Sequence, residues 1–163
     1  MKAKDLMSRS VVTCRMDDNL AEVAALMWAE RCGALPVLGA DGRLASMITD
    51  RDVAIALGTR NLRASDVLVH QVVLSRVFTC AEHDEMERAL SIMVAQNVRR
   101  LPVIDGEAAL VGILSIDDFL LHTQPGKAGV LSLEALEAVK TIVEDRQRGR
   151  SHPPAELAPT PQR

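Results

Sequence analysis

Aromatic residues are nearly absent from this chain of 163 residues. Trp28, Phe78 and Phe119 are the whole aromatic set, and there is no tyrosine. The core must therefore be aliphatic, and the 48% of hydrophobic residues, including seven methionines, are enough to build one. A surface that stacks nucleic-acid bases on successive aromatic rings is not expected.

An excess of positive charge and long hydrophobic runs are also missing. Lys and Arg number 19 against 22 Asp and Glu, so the net charge is −3, which argues against bulk electrostatic binding to DNA or RNA. No apolar run approaches the roughly 18 residues of a membrane span. The first residues lack the apolar segment of a secretory signal. We therefore expect a cytoplasmic protein with neither a nucleic-acid nor a membrane partner.

The cysteines and histidines are too few and too widely spaced for a disulfide framework or a metal site. Cys14, Cys32 and Cys80 are too widely spaced for a disulfide or zinc pattern, and the four histidines show no metal-ligand spacing. Cys14 and Cys80 are interpreted as small buried hydrophobes, with a redox role as the alternative. The chain shows no P-loop and no set of nucleophile, base and orienting group. The sequence therefore predicts neither a metal site nor catalysis.

The chain does contain an internal duplication. Residues 11–53 align with residues 77–119 without a gap, at an offset of 66. Further upstream, residues 3–7 are similar to residues 64–68 at an offset of 61, which predicts five additional residues before the second copy. Repetition on this scale predicts two copies of one structural unit. The identities include Val11/Val77, Thr13/Thr79, Cys14/Cys80, Asp18/Asp84, Met27/Met93, Leu35/Leu101, Pro36/Pro102, Val37/Val103 and Asp52/Asp118.

Each copy has the pattern of a β-α-β-β-α unit. In the first, residues 11–13 are β-branched and predict a strand, and Asp18 is the predicted cap of a helix with apolar residues at helical spacing. A hairpin is expected around Asp41-Gly42, and Thr49 caps a helix over about residues 50–57. The second copy repeats this order with a strand at 78–79, a helix over 84–96, a turn near Asp105-Gly106 and a helix from Ser115.

Neither unit is expected to be stable alone, because a half of roughly 50 residues leaves too much apolar surface exposed. Two α/β repeats related by a pseudo-twofold axis would bury those surfaces against each other. The predicted divisions are repeat 1 at 3–60 and repeat 2 at 61–122. A linker and amphipathic helix follow at 123–147, with the helix over 130–146, and then a disordered proline-rich tail at 148–163.

The doubled motifs resemble the CBS domain pair, also called the Bateman module. Residues 33–37 with 47–52 carry the resemblance in the first copy, and residues 99–103 with 111–118 carry it in the second. The resemblance covers about residues 3–121 and is to the stand-alone bacterial members. It implies an adenosine ligand, with AMP, ADP or ATP as the first candidates and S-adenosylmethionine or NAD as secondary ones. It also implies a homodimer of pairs, for which apolar helix faces such as Leu20/Met27 and Leu90/Met93 could serve.

The resemblance also implies a site in each cleft between the copies. The hydroxyl of the Thr/Ser-x-x-Asp motif would lie near the ribose-phosphate, and its carboxylate would bind the ribose hydroxyls. An apolar residue two positions earlier would flank the base, and the first strand of the opposite copy would close the cleft. Arginines just before Leu-Pro-Val would face phosphate, and Arg51 is a further candidate. The implied ligand-binding residues are Thr49, Asp52, Met47 and Phe78 for one cleft, Ser115, Asp118, Ile113 and Val12 for the other, and Arg99 and Arg100.

The two clefts are not expected to be equivalent. The first copy has Gly33 and Ala34 where the second has Arg99 and Arg100, and Ser46 where the second has Gly112. Asp117 beside Asp118 would repel an anion from the second cleft.

Each assignment also has a structural alternative. Thr49-x-x-Asp52 and its second copy have the spacing of a capping box, which needs no ligand. Arg99-Arg100 could be a solvated pair at a helix end, and Phe78 and Val12 could belong to the core. Two functions therefore remain open: a nucleotide-binding regulatory protein that signals by conformational change, or a ligand-free scaffold for dimerisation or an unknown protein partner.

Overall fold

The computed structural model describes residues 1–73 and 76–121, together with positions 137, 139–142 and 144. The chain forms two mixed α/β repeats, each built around a three-stranded sheet, which confirms the predicted fold class. The first repeat contains β1 (Cys14–Arg15), α2 (Leu20–Ala29), β2 (Ala34–Leu38), β3 (Leu44–Thr49) and α3 (Asp50–Arg60), after the short helix α1 (Ala3–Leu6). The second contains β4 (Cys80–Ala81), α4 (Met86–Ala95), β5 (Arg100–Ile104), β6 (Leu110–Ser115) and α5 (Ile116–Leu121).

The two sheets share one topology and one register. In each sheet the short first strand runs parallel to the second, and the second pairs antiparallel with the third. Cys14 lies opposite Val37, and its repeat equivalent Cys80 lies opposite Val103. The predicted hairpin around Asp41-Gly42 is present, and Gly42 has the left-handed φ of 76° that favours glycine in a turn.

Several predicted boundaries were wrong by a few residues. Residues 11–13 and 78–79 do not pair; the paired strands begin instead at Cys14 and Cys80. The cap of α2 is Asn19 rather than Asp18, because the Asn19 side chain accepts hydrogen bonds from the amides of Ala21 and Glu22, both at 3.0 Å. The Asp18 carboxylate instead accepts from the Arg15 amide at 2.8 Å, which closes the turn after β1.

The two cores exchange segments. Ala3, Leu6 and Met7, at the start of the chain, are buried in the core of the second repeat. Val67 and Val69, which follow the first repeat in sequence, are buried in the core of the first repeat. Each repeat therefore completes its core with residues that precede the other repeat's strands, and neither core is formed by one continuous stretch of chain.

The internal offset is 66 residues from the beginning of the chain, so the predicted five-residue insertion was wrong. The Ala3 amide donates to the Asp84 carbonyl at 2.9 Å, and the Val69 amide donates to the Asp18 carbonyl at 2.9 Å. The Lys2 amide donates to the Asp5 carboxylate, and at the same offset of 66 the Leu68 amide donates to the Gln71 side chain. The donor in each of these bonds is a backbone amide, which does not depend on the identity of the donor residue, so the equivalent positions can differ in sequence.

The helix faces predicted for dimerisation lie in the cores instead. Leu20, Met27, Leu90 and Met93 are at most 6% exposed. The outward face of α2 carries Trp28, which is 86% exposed.

The C-terminal part of the chain is described only in pieces. Positions 137, 139–142 and 144 are helical, within the helix predicted over 130–146. Ile142 is buried in the core of the second repeat, and Val139 packs against the same core. The rest of that predicted helix and the predicted tail at 148–163 lie outside the described residues.

Gly112 provides a test of the exchanged N-terminal segment. Ser8 and Ile113 exchange backbone hydrogen bonds of 2.9 and 3.0 Å, which holds the segment against β6. A Cβ on Gly112 would overlap the sulfur of Met7 and lie 3.1 Å from the Ser8 carbonyl oxygen. We expect Gly112→Ser to lower the free energy of unfolding by about 1–3 kcal/mol, measured by urea denaturation. Gly106→Ser, where nothing lies within 4 Å, is the control, and equal losses in the two variants would contradict the packing.

Candidate functional site

A cavity of about 480 Å³ opens between the two repeats. The first repeat contributes the start of β2, the end of β3 and the start of α3, and the second contributes residues 76–78 and 97–100. Its volume is in the range of small-molecule sites, roughly 300–1,000 Å³. The lining residues are Gly33, Ala34, Met47, Thr49, Asp50, Arg51, Arg76, Val77, Phe78, Asn97, Val98, Arg99 and Arg100.

The cavity brings together half of the residues singled out in the sequence. Met47, Thr49, Phe78, Arg99 and Arg100 all line it, so Thr49 and Phe78 meet across the two repeats as expected. Arg51 lines it as well. Five other predicted residues are not among its lining residues, namely Asp52, Val12, Ile113, Ser115 and Asp118.

Three polar lining residues, Arg76, Asp50 and Asn97, were not singled out in the sequence as ligand-binding residues. Arg76 and Asn97 belong to no recognised motif, and Asp50 is an interior position of the Thr49-x-x-Asp52 motif. A comparison of the two copies offered one signal, because Arg76 and Phe78 stand where the first copy has Ser10 and Val12.

The Thr49-x-x-Asp52 motif forms a capping box at the start of α3. The Thr49 hydroxyl donates to the Asp52 carboxylate at 2.6 Å, and the Thr49 amide donates to the same oxygen at 2.9 Å. The Asp52 amide donates back to the Thr49 hydroxyl at 3.2 Å. Ser115 and Asp118 make the same contacts at the start of α5. The structural alternative is therefore observed in both copies, while Thr49 in addition faces the cavity.

Positive charge converges on this cavity. Arg51, Arg76, Arg99 and Arg100 line it, and Asp50 is the one acidic residue among the described residues that line it. Within the described part of the chain, none of the four guanidinium groups forms an ion pair with a carboxylate. The 11-residue helix α3 also begins there, and the N-terminus of a helix favours anions. Unpaired arginines in a concave site can bind an anionic group such as phosphate by charge-assisted hydrogen bonds.

The equivalent positions of the second cleft carry different charges. At an offset of 66, Asp117 corresponds to Arg51, and Ser10 corresponds to Arg76. Arg31 corresponds to Asn97, so the other copy has a positive charge at this position where the cavity has none. Arg99 and Arg100 correspond to Gly33 and Ala34, and both pairs line the cavity. The equivalent positions of the second cleft therefore comprise the same two pairs, and Arg51 and Arg76 are the basic lining residues that have no basic counterpart there.

Two cysteines are buried, as predicted. Cys14 and Cys80 are each 2% exposed. Burial raises the pKa of the Cys14 thiol to about 12 and that of Cys80 to about 11, and the carboxylates of Asp18 and Asp84 add to the respective shifts. Both thiols therefore stay neutral and weakly reactive at neutral pH.

The raised thiol pKa values predict a loss of stability at alkaline pH. In the unfolded chain the thiols ionise near pH 9, whereas in the folded chain they remain protonated until about pH 11–12. The stabilisation by the two neutral thiols is complete below pH 9 and is lost progressively as pH rises from 9 to the folded-state pKa values. We expect the free energy of unfolding to fall by about 1 kcal/mol for each thiol between pH 8 and pH 10. Urea denaturation measures this, and a double Cys14→Ala, Cys80→Ala variant with an equally steep fall would contradict it.

Two further absences hold for the residues that the structure describes. Those residues hold no group of three or more His, Cys, Asp or Glu side chains placed to bind a metal ion. No helix among them is long and apolar enough to cross a membrane.

Comparison with known proteins identifies the family. The sequence profile of the CBS domain matches residues 3–59 and 65–123. Together with the doubled α/β fold and the cavity between the repeats, this match shows that the chain belongs to the CBS domain family.

Individual relatives are similar over the same region. Inosine-5'-monophosphate dehydrogenase of Methanocaldococcus jannaschii is 35% identical over 120 residues, which cover 73% of this chain and 23% of that enzyme. The chain thus spans only about a quarter of this dehydrogenase and 20% of the one from Mycobacterium leprae. Hypoxic response protein 1 of Mycobacterium tuberculosis is 31% identical over 74% of this chain and 83% of its own length.

Solved structures show the same fold. A structure of Hypoxic Response Protein I with two coordinated zinc ions has a TM-score of 0.69 and 30% identity, and covers 77% of this chain and all of that one. The CBS domain pair of protein MJ0100, solved with 5'-methylthioadenosine and S-adenosyl-L-methionine, has a TM-score of 0.65 and 24% identity, over 72% of this chain and 91% of that one.

Proposed function

We propose that this protein is a regulatory module that binds one adenine nucleotide per chain in the cavity between its repeats. The observation that carries the proposal is the convergence of four arginines, which form no ion pair with a carboxylate among the described residues, on a 480 Å³ cavity that also contains Thr49. Membership of the CBS family and the adenosine compounds bound by the MJ0100 pair support an adenosine ligand. AMP, ADP and ATP are the candidates.

The lining residues divide the cavity by chemistry. Arg51, Arg76, Arg99 and Arg100 bind the phosphates, together with the N-terminus of α3. Met47, Val77 and Val98 supply apolar walls for the base, and the Thr49 hydroxyl, held by Asp52, lies at the ribose-phosphate. The same charges disfavour S-adenosylmethionine, because its sulfonium cation would be placed among guanidinium groups.

Binding between the repeats links ligand occupancy to their packing. A nucleotide that contacts both repeats stabilises the arrangement in which Thr49 and Arg99 face the same cavity, and a partner protein or a second copy of the chain responds to that arrangement. The proposed role is regulatory rather than catalytic, in the cytoplasm, and in a homodimer. The repeats are taken as residues 3–60 and 61–122, and Val12, Ile113, Ser115 and Asp118 form the proposed second cleft.

Thermal unfolding in the presence of a ligand panel tests the proposal. The panel contains AMP, ADP, ATP, S-adenosylmethionine and NAD, with and without Mg²⁺, and adenosine serves as the control without phosphate. A nucleotide at about 100 times its dissociation constant adds roughly 2.7 kcal/mol to the free energy of unfolding. For a chain of this size that raises Tm by several degrees.

The Tm shifts across the ligand panel distinguish the nucleotide-binding module from the ligand-free scaffold. A shift with a phosphorylated ligand that is larger than the shift with adenosine, and a stoichiometry of one per chain by calorimetry, are the expected results. An unchanged Tm for every compound at millimolar concentration would contradict nucleotide binding. It would favour the ligand-free scaffold, for which the two capping boxes already account for the Thr/Ser-x-x-Asp motifs.

A further inference from the structure

The guanidinium group of Arg76 lies over the ring of Phe78. The central guanidinium carbon lies 4.8 Å from the ring centroid, within the roughly 6 Å of a cation–π contact. Both residues line the cavity, so the stacked pair forms part of its wall. No carboxylate within the described part of the chain pairs with Arg76, which leaves its hydrogen-bond donors available to a ligand.

The contact with Arg76 gives Phe78 a role different from the one that the family resemblance implies. As a residue of the segment that closes the cleft, Phe78 would be expected to lie against the ligand itself. One face of its ring is instead covered by a cation. A guanidinium held over a ring keeps fewer side-chain conformations, so it loses less entropy when it binds a phosphate.

We propose that Phe78 is a positioning residue that acts through Arg76: the ring orients the guanidinium, and the guanidinium binds the phosphate of the nucleotide. This inference rests on the proposed function and assigns the origin of its phosphate selectivity. The pair exists in one cleft only, because the equivalent residues in the first copy are Ser10 and Val12. Neither can form a cation–π contact, so the second cleft lacks this arrangement.

A double-mutant cycle separates the two roles of Phe78. The variants are Arg76→Ala, Phe78→Leu and the double variant, and the probe is whichever of AMP, ADP and ATP binds the wild type most tightly, measured by calorimetry. We expect Arg76→Ala to weaken binding by about tenfold or more, since a charge-assisted hydrogen bond is lost. Phe78→Leu is expected to weaken it about 2- to 5-fold, the range of an exposed cation–π contact.

Coupling between the two changes is the deciding result. If the ring acts through Arg76, the double variant binds as the Arg76→Ala variant does, and Phe78→Tyr restores wild-type affinity. If the two losses of nucleotide affinity multiply in the double variant, the ring contacts the ligand directly and the inference is overturned. The same conclusion follows if Phe78→Leu weakens the binding of adenosine by the same factor as the binding of the nucleotide. Ile55→Ala, at an exposed residue of α3 that does not line the cavity, is the control and should leave nucleotide affinity unchanged.

The stacked pair also has a readout that needs no ligand. We expect ring currents to shift the Arg76 side-chain protons upfield in the NMR spectrum of the wild type, and this shift should vanish in Phe78→Leu. Absence of the shift in the wild type would overturn the positioning role. A shift in a protein that binds none of the nucleotides would instead refute the proposed function and leave the stacking intact.

Discussion

Replacing Arg99 with glutamate is expected to weaken nucleotide binding by about 100-fold or more. The substitution removes a charge-assisted hydrogen bond to phosphate, which contributes about 1.5–3 kcal/mol, and puts a repelling carboxylate in its place. The fold should be unaffected, since the Arg99 side chain is exposed and the bond that the residue makes to the Ile116 amide comes from its backbone carbonyl. Calorimetry with the tightest of AMP, ADP and ATP measures the effect.

Arg43→Glu is the matched control for this prediction. Arg43 is exposed at the first hairpin and is not a lining residue of the cavity, so it undergoes the same change of charge at a distance from the site. Its affinity should stay within about twofold of the wild type, because exposed charges beyond roughly 10 Å are screened by salt. Similar losses in the two variants would show a general electrostatic effect rather than a phosphate site at Arg99.

Replacing Phe119 with alanine is expected to cause the largest loss of stability, about 3–5 kcal/mol. Phe119 is 0% exposed in a core that also contains Leu6, Met7 and Ile142. These residues come from three separate parts of the chain, so a void at Phe119 weakens the core that they share. Urea denaturation followed by circular dichroism measures the free energy, after a check that the transition is two-state.

The first repeat supplies the comparison for this variant. Val53 is the equivalent of Phe119, is 7% exposed, and lies in the other core. Val53→Ala removes fewer buried groups and should cost about 2 kcal/mol. A Phe119→Ala variant that loses no more than Val53→Ala would contradict the central place of Phe119 in the exchanged core.

Local patterns predicted local structure well in this chain. The Asp41-Gly42 turn and the Thr49 cap were predicted correctly because turns and caps depend on a few neighbouring residues. The strands at residues 11–13 and 78–79 were misplaced by a similar local rule. Their β-branched residues favour extended backbone, but a strand needs a partner, and β2 and β5 pair only from Cys14 and Cys80 onward.

The candidate site was predicted only in part, for a related reason. Met47, Thr49, Phe78, Arg99 and Arg100 belong to recognised motifs, and all of them line the cavity. The guanidinium of Arg76 lies there because the fold brings the segment before β4 against the first repeat, and no motif in the sequence marks that position. The Asp52 carboxylate was open to two interpretations, a ligand of the ribose hydroxyls or part of a helix cap. It is hydrogen-bonded within the cap.

The sequence by itself determined the duplication and the α/β class of each repeat, because repetition and hydrophobic period can be read along the chain. Only the tertiary structure decided that residues 3–7 complete the second core while Val67 and Val69 complete the first. It also decided which arginines share a cavity. Both outcomes depend on how distant segments bury their apolar faces together, and that burial leaves little trace in the order of neighbouring residues.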